Sequence, residues 1–159
     1  FNYFLIKFAQ LYPIGKIQFG QGTFASLFAI LFGYYLLLFL NTFTFFIIIL
    51  FLFSLSLISI NRYLIKYKKQ DPPEVVSDEL IGQLISLLPI PILNIEISFN
   101  ALMISFLTFR FFDISKIGLK SIEKIQGSWG VMLDDVFAGI YSCVTQIIIW
   151  KYLIYVEFD

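Results

Sequence analysis

Two long apolar runs dominate the first half of the chain. Residues 24–40 and 43–60 carry no charged side chain, and only Asn41 and Thr42 separate them. Each run is close to the ~17–25 residues that an α-helix needs to cross the hydrocarbon core of a bilayer. Because the backbone polar groups of a lipid-exposed segment must be satisfied within that segment, the pattern predicts a membrane-spanning helical hairpin with a tight polar turn.

A second, less regular hairpin is predicted further along the chain. Residues 61–80 form the most charged segment, and the adjacent Pro72 and Pro73 exclude one continuous helix through it. Residues 80–93 are apolar but are interrupted by two prolines, whereas residues 97–109 are apolar and uninterrupted. These two runs predict a shorter or bent hairpin.

Residues 136–156 form the last apolar run, with Lys151 as the only formal charge. This run predicts a C-terminal spanning helix. The expected fold is therefore an all-α, small polytopic membrane protein with two helical hairpins and a final spanning helix, in a single domain over residues 1–159. We expect no cleavable export signal, because Lys7 is not followed by a short apolar region with a small-residue cleavage site.

Composition supports a membrane protein and removes several kinds of chemistry. The 159 residues are 59% apolar, with a mean hydropathy of +0.87, which is too apolar for the surface of a small soluble domain. There is no histidine, so histidine bases and histidine metal ligands are excluded, and the single Cys143 excludes a disulfide framework. Acidic and basic residues balance, 11 against 11, so the net charge by itself indicates no kind of partner; we expect no nucleic-acid partner.

The charged segments fall on one side of the membrane if each hairpin crosses and returns. The basic residues on this side are Lys7, Lys16, Arg62, Lys66, Lys68, Lys69, Arg110, Lys116, Lys120 and Lys124. The carboxylates on the same side are Asp71, Glu74, Asp78, Glu79, Asp113, Glu123, Asp134 and Asp135. Because loops rich in lysine and arginine stay in the cytoplasm, this charged face is predicted to be cytoplasmic.

Neighbouring carboxylates on that face indicate a metal site. Asp78 adjoins Glu79, Asp134 adjoins Asp135, and Asp113 stands alone between the two pairs. Adjacent carboxylates in a partly desolvated place are stable when one is protonated, when cations pair with them, or when they bind a metal ion. Oxygen ligands suit Mg²⁺ and phosphoryl chemistry. The alternative is that these acids only stabilise helix N-termini at the membrane interface.

Glycines and basic residues suggest a place for an anion. Gly20 and Gly22 precede the first spanning helix, with Thr23 as a predicted N-cap, and Gly130 precedes the last. Glycines before a helix let backbone N–H groups approach a phosphate, although such glycines are common without one.

Two basic residues flank Asp113 and could hold a phosphate beside a metal ion. Arg110 lies within helical reach of Asp113, and Lys116 follows it. For Lys116 there is an alternative. It shares i, i+4, i+8 spacing with Lys120 and Lys124, which is also typical of an interfacial helix on anionic lipid.

Four segments, in order and spacing, resemble the phosphatidylglycerophosphatase A family: "GQGTFASLFAI", "DPPEVVSDELIGQLISL", "FRFFDISK" and "GSWGVMLDDVFAGIYS". The resemblance implies an enzyme of the bacterial inner membrane that uses Mg²⁺ at the cytoplasmic side to convert phosphatidylglycerophosphate to phosphatidylglycerol. The family's charged positions fall on Asp71, Asp78, Glu79, Asp113, Lys116, Asp134 and Asp135. One departure is visible, since Ile117 and Gly118 stand where the family usually has a proline.

The resulting hypothesis is a Mg²⁺-dependent phosphatase whose substrate, phosphatidylglycerophosphate, lies in the bilayer. The expected metal ligands are Asp78, Glu79, Asp134 and Asp135; Asp71 and Asp113 would complete the metal's shell or orient water; Arg110 and Lys116 would hold the phosphate; Gly20, Gly22, Thr23 and Gly130 would bind substrate. Two alternatives stay open: a non-enzymatic scaffold or cation-conducting subunit, and a phosphatase for a different phospholipid. The sequence gives no oligomeric state.

Overall fold

The structure is a computed structural model that describes residues 2–118 and 125–157, with side chains up to residue 152. Across those residues the regular structure is helical, as expected. The α-helices are α1 (Asn2–Ala9), α2 (Gln21–Phe39), α3 (Thr42–Tyr67), α4 (Ser77–Ser86), α5 (Pro89–Ile92), α6 (Phe99–Ser115) and α7 (Ser128–Glu157), with a 3-10 turn at Ile14–Lys16. Lys120, Glu123 and Lys124 of the predicted charged face lie outside the described residues.

Three of the described helices are long and apolar enough to cross a membrane: Gln21–Phe39, Thr42–Tyr67 and Ser128–Tyr152 within α7. They correspond to the three uninterrupted long runs of the sequence. Between α2 and α3 the turn is as short as predicted, and the Asn41 Oδ1 accepts a hydrogen bond from the Thr44 backbone N–H at 2.8 Å. This contact caps α3 at its first turn. How the helices are arranged across a bilayer stays a prediction.

The predicted second hairpin is more broken than a pair of spanning helices. Helix α4 has only 10 residues, and the one-turn helix α5 begins at Pro89. Prolines at 89 and 91 explain this interruption, because a proline inside a helix removes a hydrogen bond and clashes with the preceding turn. Helix α4 packs against α2, α3, α6 and α7. Its polar ends are therefore enclosed by protein.

Two glycines bring α4 and α7 into direct backbone contact. A Cβ added to Gly139 of α7 would collide with the carbonyl oxygen of Gly82, and a Cβ on Gly82 would lie 2.5 Å from the Asp135 carbonyl oxygen and from the Phe109 ring. Small residues allow helices in membrane proteins to approach this closely. The first turn of α4 is thereby held beside the second turn of α7.

A buried network of neutral polar side chains ties α4, α6 and α7 together beyond this contact. We call it the polar clamp; its members are Gln83, Ser86, Ser105, Thr108, Ser142 and Gln146. The Ser86 Oγ lies 2.8 Å from the Ser142 Oγ, and the Gln146 Nε2 donates to the Ser86 carbonyl at 2.8 Å. The Gln83 Nε2 donates to the Ser105 Oγ at 3.2 Å. Hydrogen bonds of this kind stabilise helix association where no water is available.

Helix α1 has only eight residues, and it contains no hydrophobic run long enough to be predicted from the sequence. Its inner face carries Ile6 and Ala9, which pack in one buried cluster with Ile60 and Tyr63 of α3. The Ala9 carbonyl accepts a hydrogen bond from the Val76 backbone N–H at 2.9 Å. The N-terminal helix therefore supports the segment that leads into α4.

Two predicted helix boundaries are wrong. Helix α7 begins at Ser128 instead of residue 136, so Asp134 and Asp135 lie within the helix and not at its entry. Helix α2 begins at Gln21 with Gly20 as its N-cap, so Thr23 belongs to the first turn and is not the cap. In both places the first turns of the helix contain polar residues and glycine, so hydropathy alone places the start of the helix too late along the chain.

Candidate active site

All twelve residues singled out for chemistry in the sequence line one cavity of about 580 Å³, which we call the acidic cavity. They are Gly20, Gly22, Thr23, Asp71, Asp78, Glu79, Arg110, Asp113, Lys116, Gly130, Asp134 and Asp135. They come from α2, α4, α6, α7 and the segment before α4, which are far apart along the chain. The structure thus brings the predicted residues together, while the role of each one stays a prediction.

Three carboxylates form the centre of the acidic cavity. Asp78 and Glu79 lie in the first turn of α4, and Asp135 faces them from α7; one carboxylate oxygen of each lies within 4.8 Å of the other two. Asp78 and Asp135 are each only 6% exposed. Within the described part of the chain, the Asp78 Oδ1 and the Glu79 Oε2 are buried and accept no hydrogen bond. Because buried charge without a partner is costly, these oxygens fit a hard cation.

Burial and mutual repulsion raise the pKa of both acids in α4. Burial raises the pKa of the Asp78 carboxyl well above its usual range, and the negative charge of Asp135 adds to the effect. Burial also raises the pKa of Glu79, with further contributions from Asp78 and Asp113. A nearby cation reverses this preference for the protonated form. A cation bound beside Asp78 and Glu79 would therefore favour their ionised forms.

The first turn of α4 does not use its acids as caps. The N-cap position is Val76, which has no side-chain hydrogen bond to the helix, and Asp78 and Glu79 follow within the turn. The helix dipole favours carboxylates there, as the alternative interpretation expects. That interpretation does not account for the buried oxygens that lack a partner, since acids needed only for the dipole can remain in solvent.

Arg110 and Asp113 form the ion pair that their spacing on α6 predicts. The Arg110 Nη1 donates to the Asp113 Oδ2, and both side chains are 16% exposed. The same Nη1 lies 3.4 Å from the Ser26 Oγ on α2, whereas the Arg110 Nε is buried and has no partner among the described residues. The guanidinium thus keeps donor capacity on the wall of the cavity.

Lys116 pairs with Asp134, which is not one of the three central acids. The Lys116 Nζ lies 2.8 Å from the Asp134 Oδ2. Asp134 therefore has a cation partner already, although its Oδ1 is buried without a hydrogen bond among the described residues. Lys116 follows the last turn of α6 with φ +50°. It is the C-cap of α6, and Lys120 and Lys124, the other members of the predicted basic stripe, lie outside the described residues.

Gly22 allows α2 to lie directly against the acids. A Cβ at this position would be 2.5 Å from the Glu79 Oε1 and 3.4 Å from the Arg110 Nη1. Gly20, at φ +72°, has the left-handed conformation that favours glycine. It caps α2 without a side-chain hydrogen bond, so the N–H groups of the first turn remain able to donate to an anion. Gly130 lies in the first turn of α7, against the Ile125 carbonyl oxygen.

Three glutamines on the wall of the acidic cavity were not identified from the sequence: Gln21, Gln70 and Gln126. An amide carries no charge and forms no recognisable pair, so it gives a weak pattern. Two of them could have been recognised from their position along the chain, next to residues that were predicted to belong to the site. Gln21 stands between Gly20 and Gly22, and Gln70 precedes Asp71.

Comparison with known proteins agrees with the resemblance of the four segments. A family model described as Phosphatidylglycerophosphatase A matches residues 7–150, a range that contains all four. Phosphatidylglycerophosphatase A of Haemophilus influenzae is 32% identical over 132 residues, which cover 82% of this chain and 78% of that protein.

A second relative carries a different name. A protein of Bacteroides thetaiotaomicron named putative phosphatidylinositol-3-phosphatase is 41% identical over 76 residues, which cover 47% of this chain and only 46% of that protein. No solved structure matches the chain significantly. The family match and the Haemophilus relative support phosphatase activity. The chain belongs to the phosphatidylglycerophosphatase A family.

Proposed function

We propose that the protein is a Mg²⁺-dependent phosphatase that converts phosphatidylglycerophosphate in the bilayer to phosphatidylglycerol. The observation that carries the proposal is the joint placement, in one cavity, of three clustered carboxylates, two of which have an oxygen unpartnered among the described residues, and of two cationic side chains. Family membership supports the reaction class. The three long apolar helices fit a substrate that resides in a membrane.

The donor set of the acidic cavity fits a hard divalent cation. Asp78, Glu79 and Asp135 would hold it, since their oxygens converge within 4.8 Å. Asp134 remains a candidate ligand through its unpartnered Oδ1. A bound Mg²⁺ would offset the carboxylate charge and polarise a phosphate oxygen. All donors named here are carboxylate oxygens, which suit Mg²⁺ better than zinc.

The phosphate would be held by Arg110, Lys116 and the first turn of α2. The unpartnered Arg110 Nε can donate to a phosphate oxygen while Nη1 stays on Asp113, which gives a charge-assisted hydrogen bond of fixed direction. Backbone N–H groups near Gly20, Gly22 and Thr23 provide neutral donors. Donors fixed in this way also stabilise the charge that builds up on the phosphoryl oxygens during transfer.

Hydrolysis requires a water molecule opposite the leaving oxygen. The water oxygen forms a bond to phosphorus, the bond from phosphorus to the glycerol oxygen breaks, and that oxygen takes up a proton. Asp71 and Asp113 are the candidates to orient the water and to accept its proton, since both line the cavity and neither belongs to the group of three central acids. The products are phosphatidylglycerol and inorganic phosphate.

The proposed orientation places the acidic cavity at the cytoplasmic face of the inner membrane. The basic residues that follow α3 support it by the positive-inside tendency. A cysteine introduced at the exposed Lys68 in a Cys143→Ser background tests it. A membrane-impermeant thiol reagent should label this cysteine in inside-out vesicles and not in right-side-out vesicles; the reverse pattern would refute the orientation.

A second head group has specific support from one relative. The name of the Bacteroides relative favours a phosphate on an inositol ring. Phosphate release from purified protein should be compared for phosphatidylglycerophosphate, phosphatidylinositol 3-phosphate and phosphatidic acid, each with and without Mg²⁺. We expect the first lipid to give the highest kcat/KM, and only with Mg²⁺. Faster release from the inositol lipid would reassign the substrate, and no release from any lipid would favour the scaffold or cation-conducting alternative.

A further inference from the structure

A second depression, here called the apolar groove, lies beside the acidic cavity. Its volume is about 620 Å³, and α1, the turn after it, α2, α3 and α4 contribute to its walls. Its apolar lining includes Phe8, Leu11, Phe28, Phe32, Leu52 and Leu80. The rings of Phe28 and Phe32 are stacked, with centroids 6.1 Å apart, and form one continuous side.

The groove and the acidic cavity share no lining residue, but α2 and α4 contribute to both. On α2, Gly22 and Thr23 line the cavity, whereas Phe28 lines the groove. Phe28 lies five positions after Thr23, which is about 7.5 Å further along the axis at 1.5 Å per residue and about 140° around it at 3.6 residues per turn. On α4 the change occurs between adjacent residues, because Glu79 belongs to the cavity and Leu80 to the groove. A molecule with a polar and an apolar part could occupy both.

Positive charge lies at one part of the groove. Lys7 lines it, and the Lys7 Nζ lies 3.2 Å from the centroid of the Tyr12 ring. The Lys16 Nζ lies 5.3 Å from the same ring. Two ammonium groups therefore share one aromatic side chain where the apolar lining meets solvent. This combination of hydrocarbon surface and cationic edge complements an anionic lipid.

We propose that the apolar groove holds an acyl chain of the lipid substrate and that Lys7 and Lys16 pair with its phosphodiester. The proposal rests on the proposed function, since it gives the two ends of one lipid separate places. A volume of about 620 Å³ is in the range of small-molecule sites and suits a single flexible chain better than a protein helix, which is ~10–12 Å wide. The terminal phosphate monoester would then reach the acidic cavity.

Photolabelling separates a substrate chain from ordinary surrounding lipid. Two probes with the same photoreactive acyl chain, one with the phosphatidylglycerophosphate head and one with a phosphatidylcholine head, are compared at equal mole fraction in wild-type protein. The reference is Leu31, a 61% exposed residue on α2 outside the groove. We expect labelling at Phe28 and Phe32, relative to Leu31, to be at least about fivefold higher with the phosphorylated head. Photolysis precedes the addition of Mg²⁺, because turnover would remove the terminal phosphate that distinguishes this probe from phosphatidylcholine, which also carries a phosphodiester.

Two variants and their control complete the test. Phe28→Trp should narrow the groove. It should reduce the labelling preference for the phosphorylated head to near unity and raise KM about fivefold, whereas Leu31→Trp should leave the labelling preference and KM unchanged. Lys7→Gln with Lys16→Gln should also reduce the preference. Phosphate release is measured in the same samples. Release with an equal labelling ratio for the two probes overturns the groove proposal and leaves the enzyme proposal standing; absence of release from the wild type overturns the enzyme proposal itself.

Discussion

Helices α4, α6 and α7 contribute to two buried polar regions, the acidic cavity and the polar clamp, and the two regions differ in the charge of their buried oxygens that lack a hydrogen bond within the described part of the chain. In the clamp, the single hydroxyl of Ser86 contacts the hydroxyls of Ser105 and Ser142 and the amide of Gln146. Among the described residues, the clamp atoms that are buried without a hydrogen bond are two neutral amide oxygens, Gln83 Oε1 and Gln146 Oε1, whereas in the cavity they include carboxylate oxygens of Asp78 and Glu79. One turn of α4, from Glu79 to Gln83, separates the two regions.

The difference indicates what each region is for. Buried polar groups in native proteins are nearly always hydrogen-bonded, so unsatisfied ones require an explanation. A neutral network with many internal partners is explained by helix packing. A charged group that lacks partners lowers stability unless a ligand provides them, and such compromises are concentrated at functional sites. Activity and stability should therefore respond oppositely to changes in the two regions.

The largest expected effect is the loss of activity in Asp78→Asn. Removing one carboxylate from the three central acids should lower kcat by about 10²-fold or more, the scale found when a group acting on the transition state is lost. The melting temperature of the metal-free protein should stay equal or rise, because repulsion with Asp135 and Glu79 is relieved. Phosphate release measures kcat, and thermal unfolding measures the melting temperature. Full activity in this variant would remove Asp78 from the site.

Metal binding should also distinguish the acidic cavity from the polar clamp. At a Mg²⁺ concentration of 100 times the Kd, the wild type should gain about 2.7 kcal/mol of unfolding free energy, because only the folded state presents the site. The gain should persist in the clamp variant Ser86→Ala and disappear in Asp135→Asn. Thermal unfolding over a Mg²⁺ titration provides the measurement. An equal gain in Asp135→Asn would show that the ion binds elsewhere.

A clamp variant should lose stability and keep its activity. Ser86→Ala removes a hydroxyl with several buried partners and should lower the unfolding free energy by about 1–2 kcal/mol. The control is Ser54→Ala, whose exposed Oγ donates to the Leu50 carbonyl one turn earlier, at 3.0 Å. Unfolding in mixed micelles and phosphate release per folded molecule are compared. If Ser86→Ala lowers kcat as strongly as Asp78→Asn, the separation of the two regions fails.

The smallest effect is expected at Lys116. Its side chain is 41% exposed, so Lys116→Gln should lower kcat/KM about fivefold and hardly change stability, since exposed ion pairs contribute little. Lys69→Gln is the matched control, because Lys69 also pairs with an acid, Glu74, at 2.6 Å but does not line the cavity. Steady-state kinetics of both variants measure the two changes in kcat/KM. Equal changes in the two would mean that Lys116 has no special role at the phosphate.

Local pattern determined the helical fold class and the positions of the three long apolar helices. An uninterrupted apolar run of spanning length has few stable alternatives to a helix in a membrane, and α2, α3 and the apolar part of α7 follow from it. The charged segments, read with the resemblance of the four segments, also identified every residue proposed for chemistry, all of which line the acidic cavity.

Only the tertiary structure decided how those residues are partnered. The sequence presents Asp134 and Asp135 as equivalent, yet one meets Lys116 while the other joins Asp78 and Glu79. That division depends on the backbone contact of Gly82 with Gly139, which sets the facing sides of α4 and α7. The polar clamp and the support given by α1 depend likewise on contacts between distant segments. Hydropathy is a property of neighbours along the chain, whereas partners in space follow from helix packing, which no local pattern contains.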